Sequence, residues 1–272
     1  MSDLLHILVP EGRIAVERLG DGPAIVCVPG IGDWRQSYRH LAPRLVQAGY
    51  RVYLMDLRGH GDSDAGFSAF SARLIGEDIL ALLEAEDLTD ACLVGCSIGG
   101  GAVAWAAAEA PDRVSRLVML NPFVRDMPAD RWMRPMVPLI FARPWGVAAW
   151  KAYRATLIKT PAPDHTDNEA ALINNLRQPG RLRAIRAMMR ASKADIAARL
   201  ASLTQSTLII MGAQDPDFAD PVIEGRALSE LVGGSAVVEV LDQVGHYPQT
   251  DKPAETAVLL LSFLSHGPTH DE

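Results

Sequence analysis

Ser97 is the residue of this sequence whose surroundings best suit a nucleophile. It lies in residues 95–99 (GCSIG), directly after the apolar segment 91–94 and directly before the alanine-rich segment 101–109. This pattern predicts a strand-to-helix turn that holds a serine in a strained and exposed conformation. Glycines suit such a turn because a side chain there would clash with the neighbouring strand and helix. A glycine-rich turn without chemistry is the alternative.

A serine hydroxyl needs a base to remove its proton, and His246 is the histidine predicted to do so. It follows the predicted strand 237–241, in the loop 244–248 (VGHYP). When a serine occupies a turn of this kind, the acid and then the histidine follow it along the chain. The two later histidines, His266 and His270, lie in a polar tail, so His246 is the candidate base. A histidine of a surface loop is the alternative.

Asp215 is the predicted acid that orients the histidine. It lies in residues 212–216 (GAQDP), on the loop after the apolar segment 207–211. Its expected task is to fix the histidine tautomer and to stabilise the imidazolium, without taking the proton itself. An aspartate that caps turn amides is the alternative, and four further aspartates are rivals. These rivals are Asp126, Asp217, Asp220 and Asp242. We expect Asp217 to face away from the histidine if Asp215 points at it.

An oxyanion forms when a hydroxyl attacks a carbonyl, and it needs two fixed hydrogen-bond donors. One is predicted to be the backbone N–H of Ile98, directly after the nucleophile. The other is predicted to be the N–H of Ile31, in residues 29–33 (PGIGD). The glycines beside Ile31 let that backbone approach a substrate closely. The loop lacks the Gly-x-Gly-x-x-Gly pattern of a dinucleotide site, so no such cofactor is predicted there.

The elements that must position these residues alternate along the chain. Short apolar segments rich in β-branched residues predict strands, and segments of helical period lie between or after them. The predicted strands are 24–28, 51–55, 91–94, 114–120, 207–211 and 236–241, and the predicted helices are 37–48, 69–86, 99–109 and 254–264. The alternation predicts an α/β fold with a mostly parallel central sheet and helices on both faces. Reactive groups then collect at the carboxyl ends of the strands.

This alternation breaks between residues 123 and 200, a stretch with three of the five tryptophans and several prolines. We expect it to form an inserted helical cap over a core built from residues 1–122 and 201–272. A second independent domain is disfavoured, because residues from 206 onward resume the strand pattern and need the earlier strands as partners. The basic run 181–193 is interpreted as a solvated helix face, with a carboxylate-binding face as the alternative.

Five large side chains are predicted to line a substrate pocket. Trp34 lies beside the predicted oxyanion loop and Tyr247 beside the histidine, whereas Trp132, Met136 and Phe141 belong to the cap. Apolar and aromatic side chains commonly line small-molecule pockets. Simple packing of the cap against the core is the alternative for each of them.

Composition restricts the class of protein. The formal net charge of −7 argues against nucleic acid binding, because phosphate contacts need clustered lysine and arginine. The three cysteines, Cys27, Cys92 and Cys96, have no disulfide-like or metal-ligand spacing and are predicted to be buried thiols. We see no signal peptide and no apolar run of membrane length, so a cytoplasmic protein without a membrane partner is expected. Residues 266–272 are expected to be disordered.

Residues 56–64 (DLRGHGDSD) resemble the Asp-x-Arg-Gly-x-Gly-x-Ser turn of the α/β-hydrolase family. Together with the motifs above, they make nearly the whole chain outside the cap similar to the small, capped serine esterases and lactonases of that family. The resemblance implies that His60 is a structural loop histidine. The residue in the nucleophile turn, Ser97, is a serine, whereas haloalkane dehalogenases and epoxide hydrolases have an aspartate there. A departure is Pro29 before Gly30, where the family usually has His-Gly.

The expected function is hydrolysis of a small or medium apolar carboxylic ester or lactone through an acyl-enzyme. No metal and no organic cofactor are expected, and the small-molecule substrate is the expected partner of a monomer or homodimer. Alternatives with the same triad are a carbon–carbon bond hydrolase and a cofactor-free perhydrolase. A non-catalytic ligand receptor on this fold is the alternative from another class, although an intact triad disfavours it.

Overall fold

A single sheet of eight strands organises the computed structural model, which describes residues 2–265. In chain order the strands are Ser2–Val9 (β1), Gly12–Leu19 (β2), Ala24–Val28 (β3), Arg51–Met55 (β4), Ala91–Cys96 (β5), Val114–Leu120 (β6), Ser206–Gly212 (β7) and Ala236–Leu241 (β8). They lie side by side in the order β1-β2-β4-β3-β5-β6-β7-β8. β2 is antiparallel to both of its neighbours, and all other pairs are parallel. The mostly parallel sheet predicted from the sequence is confirmed.

The first two strands were absent from the sequence-based prediction. β1 and β2 form an antiparallel hairpin at the edge of the sheet, with Val9 paired to Gly12 across a tight turn. The side chains of Leu4 and Leu8 in β1 are 48% and 79% exposed. Because antiparallel strands can have one exposed face and then lack the continuous apolar run of buried parallel strands, the pattern that identified the other six does not apply to this pair.

Helices cover both faces of the sheet. They are Ala42–Gln47 (α1), Ala72–Ala85 (α2), Ile98–Glu109 (α3), Asp130–Ile140 (α4), Gly146–Leu157 (α5), His165–Leu176 (α6), Arg181–Arg190 (α7), Ala194–Ala197 (α8), Pro221–Leu231 (α9), Pro248–Asp251 (α10) and Pro253–Ser265 (α11). On one face, α2 and α3 pack through residues such as Ile79 and Val103. On the other face, α1 and α11 pack through Leu45 and Leu260. Two apolar layers therefore bury the sheet, as the predicted fold class requires.

Capping residues explain where two of the helices begin. The helix predicted from residue 69 starts at Ala72, because the Ser71 side chain accepts a hydrogen bond from the Leu74 N–H at 3.2 Å. The missed helix α9 starts after Asp220, whose Oδ1 accepts from the N–H groups of Val222 and Ile223. Proline directly after Asp220 is a helix-start signal that the sequence already contained.

Five helices, α4 to α8, lie between β6 and β7. Four of them, α4 to α7, share a third apolar cluster that includes Val137, Phe141, Trp150 and Ile185. This arrangement supports our proposal that residues 123–200 form a cap and that the remaining residues form the core.

The basic run 181–193 matches the predicted solvated face in part: Arg183 and Arg190 are exposed and Arg186 is half-buried, whereas two other cations of the run are buried. Arg181 is 7% exposed, and its Nη1 donates to the Ser63 carbonyl at 2.6 Å. Arg183 donates to the Phe67 carbonyl at 2.9 Å. Lys193 lies beyond the end of α7 and is 8% exposed. Arg181 and Arg183 tie the helical insertion to the loop that follows β4, whereas Lys193 pairs with Asp130 inside the insertion.

Cys27, Cys92 and Cys96 are free and buried, as predicted. Burial raises the pKa of Cys92 to about 12, which keeps that thiol protonated and unreactive. Within residues 2–265, no helix has both the length and the apolar character needed to cross a membrane. The predicted disorder of residues 266–272 lies outside the described residues.

Candidate active site

Ser97 occupies the turn between β5 and α3 in a conformation that few serines adopt. Its φ of 58° and ψ of −122° lie outside the regions favoured by L-residues. Hydrogen bonds hold this backbone in place: the Ser97 N–H donates to the Leu120 carbonyl, and its own carbonyl accepts from Gly100 and Phe123, each at 3.0 Å. Strain of this kind persists where surrounding contacts over-determine it, which is typical of functional sites.

The flanking glycines are required because the backbone is packed closely here. A Cβ at Gly95 would lie 2.2 Å from the Gly99 carbonyl oxygen, and a Cβ at Gly99 would lie 2.5 Å from the Val28 carbonyl oxygen. Both distances are far shorter than any van der Waals contact. The strand-to-helix turn predicted for residues 95–99 is therefore present, and larger residues cannot build it.

His246 and Asp215 form a buried pair at the same edge of the sheet. His246 Nδ1 lies 2.6 Å from Asp215 Oδ2, and each residue is 2% exposed. The other oxygen of Asp215 accepts from the Asp217 N–H at 3.0 Å, so both carboxylate oxygens have a partner. Because Nδ1 of the His246 ring is hydrogen-bonded to the acid, Nε2 is the nitrogen that can accept the proton of a serine hydroxyl.

Ser97 and His246 line one cavity. No hydrogen bond joins the Ser97 hydroxyl to the ring among residues 2–265. Hydrogen bonds between nucleophile and base are commonly long without substrate and shorten when substrate binds. Phe123 packs on the ring with 5.6 Å between the two ring centroids, which limits its movement.

The pKa of His246 is set by opposing effects. Burial lowers it, but the charge of Asp215, the hydrogen bond to Asp215 and the charge of Asp217 together outweigh burial. The pKa of His246 therefore lies above its ordinary value of 6.5. A charge partner of this kind stabilises the imidazolium that forms when a histidine acts as a base.

Of the four rival acids, Asp126 and Asp220 have other partners and Asp242 is exposed, whereas Asp217 lies beside the histidine. Asp126 accepts from the N–H of Lys193 at 2.8 Å and from the Ser192 hydroxyl at 2.8 Å. Asp220 caps α9. The expectation that Asp217 faces away from the histidine is wrong: Asp217 Oδ2 lies 3.7 Å from His246 Nδ1.

The loop after β3 approaches Ser97 from the opposite side. Ile31 and Ile98 both line the cavity, and a Cβ at Gly30 would lie only 3.1 Å from Ser97 Cβ. The N–H of Ile98 is the first of α3, where helical amides have no partner within the helix. These positions agree with the two predicted donors, whose use in an oxyanion hole is part of our proposal below.

His60 holds this loop in place. The Gly32 N–H donates to His60 Nε2 at 2.9 Å, and His60 Nδ1 lies 3.0 Å from the Arg58 carbonyl oxygen. Burial lowers the pKa of His60 to about 4, so the ring is neutral and Nδ1–H is the donor to that carbonyl. This environment fits a structural histidine, as the resemblance implied.

The cavity measures about 360 Å³, within the range of small-molecule sites. Most of its lining is apolar. The core supplies Ile31, Ile98 and Tyr247, and residues 123–200 supply Phe123, Met133, Val137, Ile140, Phe141, Trp150, Leu157, Met188 and Met189. Phe141 and Tyr247 therefore line the cavity, as predicted.

Three predicted lining residues do not line it. On α4, Trp132 and Met136 are 72% and 46% exposed, because the cavity face of this helix carries Met133 and Val137. One residue along a helix rotates a side chain by about 100°, which moves these two off that face. Trp34 is half-buried and packs against the apolar cluster of α4 to α7.

Polar residues that the sequence analysis missed also line the cavity. Tyr153 and Lys193 come from the helical insertion, and Asp217 comes from the loop after β7. Lys193 Nζ is paired with Asp130 Oδ2 at 3.0 Å, so its charge is already compensated. No motif marks these residues, and only the fold brings them to the cavity.

Asp215, Asp217 and His246 also offer three possible metal-ligand atoms within 4.8 Å of one another. The 2.6 Å contact between His246 Nδ1 and Asp215 uses one atom from each residue as a hydrogen bond. A metal bound here would have to replace that hydrogen bond, since a ligating nitrogen cannot also donate from the same atom. The geometry fits an acid–histidine pair.

Known proteins share this architecture. A family model described as "Alpha/beta hydrolase family" matches residues 25–259. The chain is 26% identical to the Karrikin insensitive 2 receptor IA of Petunia hybrida, over 94% of this chain and 96% of that receptor. It is 28% identical to a 2-hydroxy-6-oxo-6-phenylhexa-2,4-dienoate hydrolase of Comamonas testosteroni, over 90% of this chain and 88% of that enzyme. A solved hydrolase from Pseudomonas aeruginosa PA01 superposes with a TM-score of 0.82 at 25% identity, over 97% and 99% of the two chains.

The matched region begins in β3 and ends in α11, so it includes the elbow serine and the loops that carry the acid and the histidine. It also includes the helical insertion between β6 and β7. Since the family model spans most of the sequence, the chain belongs to the α/β-hydrolase family.

Proposed function

We propose that this protein is a serine hydrolase that cleaves a small or medium apolar carboxylic ester or lactone through an acyl-enzyme. The observation that carries the proposal is the strained Ser97 turn in the same cavity as the buried His246–Asp215 pair. The nucleophile, the base and the acid lie on three separate loops at one edge of the sheet, which is the arrangement of a catalytic triad. A triad is identified by the positions of its residues in space and not by their spacing in the sequence.

In the proposed first step, Ser97 Oγ attacks the ester carbonyl carbon while His246 Nε2 takes the hydroxyl proton. Asp215 holds the ring through Nδ1 and stabilises the imidazolium. The backbone N–H groups of Ile31 and Ile98 donate to the oxyanion, and each such donor contributes about 3 kcal/mol to lowering the barrier. The intermediate collapses as the C–O bond breaks, and the leaving alcohol receives the proton from His246.

In the second step, His246 takes a proton from a water molecule, which attacks the acyl carbon. The bond to Ser97 Oγ breaks, the hydroxyl recovers its proton from His246, and a carboxylic acid leaves. The product of a lactone is the ring-opened hydroxy acid, because its alcohol and acyl parts stay joined.

The apolar lining supports the proposed substrate class. A cavity of about 360 Å³ accepts a compact molecule, and its side chains favour an apolar acyl or alcohol group. The half of the lining that comes from α4, α5 and α7 sets the limit on substrate size, so chain length is controlled mainly by residues such as Val137 and Trp150.

A second candidate function is hydrolysis of a carbon–carbon bond, which the same triad can perform. The hydrolase of Comamonas testosteroni, which is named for the substrate 2-hydroxy-6-oxo-6-phenylhexa-2,4-dienoate, favours this candidate by its match over most of both chains. The receptor of Petunia hybrida favours ligand binding in the same cavity. A perhydrolase activity would need peroxide in place of water at the second step.

A substrate panel separates these candidates. We expect p-nitrophenyl acetate and butyrate to give a burst of p-nitrophenol equal to the enzyme concentration, followed by steady turnover. Aryl esters and lactones should be cleaved with kcat/KM at least about tenfold above those of vinylogous diketones of similar size. Turnover of the diketones alone would favour the carbon–carbon hydrolase, and binding without turnover of any substrate would favour the receptor.

The pH dependence of the esterase reaction follows from the environment of His246. The base acts only when neutral, and its pKa lies above 6.5 because Asp215 and Asp217 outweigh burial. We therefore expect the acid limb of kcat/KM to fall with an apparent pKa higher than 6.5. Rates with a neutral ester between about pH 5 and 9 measure it. An apparent pKa below the ordinary histidine value would contradict the account.

A further inference from the structure

Asp217 is a second carboxylate beside the histidine, and the triad chemistry does not use it. Its Oδ2 lies 3.7 Å from His246 Nδ1, compared with 2.6 Å for Asp215 Oδ2. Its side chain is 15% exposed and lines the cavity. At that distance and burial, its charge acts on the ring with little screening by solvent.

Tyr153 of α5 fixes the position of this carboxylate. Its hydroxyl lies 2.8 Å from Asp217 Oδ1 and 2.7 Å from Asp217 Oδ2, so its single proton is shared between both oxygens. The backbone N–H of Asp217 donates to Asp215 Oδ1. A chain of hydrogen bonds therefore runs from α5 through Tyr153, Asp217 and Asp215 to His246.

The same helix also contacts the loop after β3. Trp150 Nε1 donates to the Gly32 carbonyl at 3.1 Å, and the buried Arg154 guanidinium lies 3.7 Å from the Asp33 carboxylate. Trp150 packs edge-on against the Tyr153 ring, with 5.5 Å between their centroids. One turn of α5 thus holds both loops of the site.

Several other charged or titratable groups lie near His246. Asp33 acts on it from the loop after β3, Arg154 lies over the Tyr247 ring, and Cys96 Sγ is 3.5 Å from the His246 carbonyl oxygen. Lys193 faces the same cavity but is paired with Asp130. Of the carboxylates other than Asp215, Asp217 is the one in ion-pair distance of the ring among the described residues.

We propose that Tyr153 and Asp217 form a positioning pair through which helix α5 favours protonation of His246. The inference rests on the proposed function, since it assumes that His246 is the base. Asp217 adds a second negative charge to the imidazolium that forms during acylation. Tyr153 of α5 holds that carboxylate beside the ring, so loss of the Tyr153 hydroxyl leaves a weaker base.

The state of Asp217 itself fits this coupling. Burial raises the pKa of Asp217, the charge of His246 lowers it, the charge of Asp215 raises it, and the hydrogen bond from Tyr153 lowers it; the net effect is an increase. Loss of the Tyr153 hydroxyl removes one of the two effects that favour the charged form. Tyr153→Phe and Asp217→Asn should consequently act on His246 in the same direction.

The experiment compares Asp217→Asn, Tyr153→Phe and the double variant with wild type, using kcat, KM and the acid limb of kcat/KM for p-nitrophenyl butyrate. Asp242→Asn is the matched control, because it removes the same charge from an exposed position on the loop that leads to His246. We expect Asp217→Asn to lower kcat about tenfold, with KM changed by less than about twofold. Its acid limb should move to lower pH, and the double variant should match Asp217→Asn.

Two results would overturn the inference: an acid limb of Asp217→Asn that coincides with wild type, or losses that multiply in the double variant. A second measurement does not depend on turnover. The His246 ring can be titrated by NMR in Ser97→Ala protein, with Ser97→Ala/His246→Gln for assignment. Its pKa should fall when Asp217→Asn is added and stay constant with Asp242→Asn. Activity that survives Ser97→Ala would instead contradict the proposed function alone.

Discussion

Replacing Ser97 by alanine should lower kcat for p-nitrophenyl butyrate by about 10⁴-fold or more. The variant keeps a Cβ, so the strained turn at φ 58° and its backbone hydrogen bonds remain. Only the attacking oxygen is lost, and any residual rate comes from the donors of Ile31 and Ile98 and from substrate binding. Initial rates over a range of substrate concentrations give both kcat and KM.

Ser202→Ala is the control for this variant, because Ser202 is exposed and its hydroxyl bonds only the nearby Arg199 carbonyl. The free energies of unfolding of both variants should stay within about 1 kcal/mol of wild type. A Ser97→Ala protein that is folded and keeps more than about a tenth of the wild-type kcat would show that another group is the nucleophile.

Replacing Asp215 by asparagine should lower kcat by about 10³- to 10⁴-fold with little change in KM. The carboxylate now accepts from His246 Nδ1 at 2.6 Å and from the Asp217 N–H at 3.0 Å. An amide can present its NH₂ group to Nδ1, which stabilises the tautomer with the proton on Nε2, where the base must be free. Steady-state kinetics at the pH optimum measure the loss.

The comparison with Asp217→Asn makes this prediction specific. Asp217 lies farther from the ring, at 3.7 Å, so its loss should cost about tenfold and not thousands of fold. If Asp217→Asn were the more damaging of the two, Asp217 would be the acid of the triad and Asp215 a structural residue. Asp242→Asn should leave kcat within about twofold of wild type.

The sequence was sufficient to predict the residues that meet at the sheet edge. Ser97, Asp215 and His246 each follow an apolar segment. Because the carboxyl ends of parallel strands share one edge of the sheet, the proximity of these three residues follows from the fold class. The two turn glycines around Ser97 could also be predicted from the motif, although only the 2.2 Å contact at Gly95 lies within it; the 2.5 Å contact at Gly99 is with Val28 of β3.

The lining of the cavity could not be predicted in the same way. Trp132 and Met133 are neighbours in sequence, but only Met133 lines the cavity, because the orientation of α4 on the core decides which stripe faces inward. Two prolines inside α4 also blur its apolar period. Phe141 was predicted correctly, since it lies in the apolar cluster of the insertion together with Trp150.

Asp217 shows a different reason for failure. Asp217 was expected to face away from the histidine if Asp215 points at it. The chain is a turn here, however, with the Asp215 N–H bonded to the Gly212 carbonyl and the Asp217 N–H to Asp215 Oδ1. The turn brings both carboxylates to the same side, and Tyr153, 64 residues away in sequence, completes the contact.

The hairpin β1–β2 was missed because its antiparallel strands lack the continuous apolar run of the parallel strands. Parallel central strands are buried on both faces and are continuous in apolar residues, whereas β1 is mostly exposed and Ile7 is its one buried residue. The insertion between β6 and β7 was recognised by the loss of the strand pattern, but its attachment to the core through Arg181 and Arg183 depends on tertiary packing alone.

The central claim is that Ser97 is the nucleophile, and a fluorophosphonate probe tests it most directly. Such a probe forms a covalent bond only with a hydroxyl that a neighbouring base activates. After incubation and proteolysis, mass spectrometry should find the adduct on the peptide that contains Ser97, at one equivalent per chain, and His246→Ala should abolish the labelling. An adduct on any other residue, or no adduct on folded and active protein, would contradict the account.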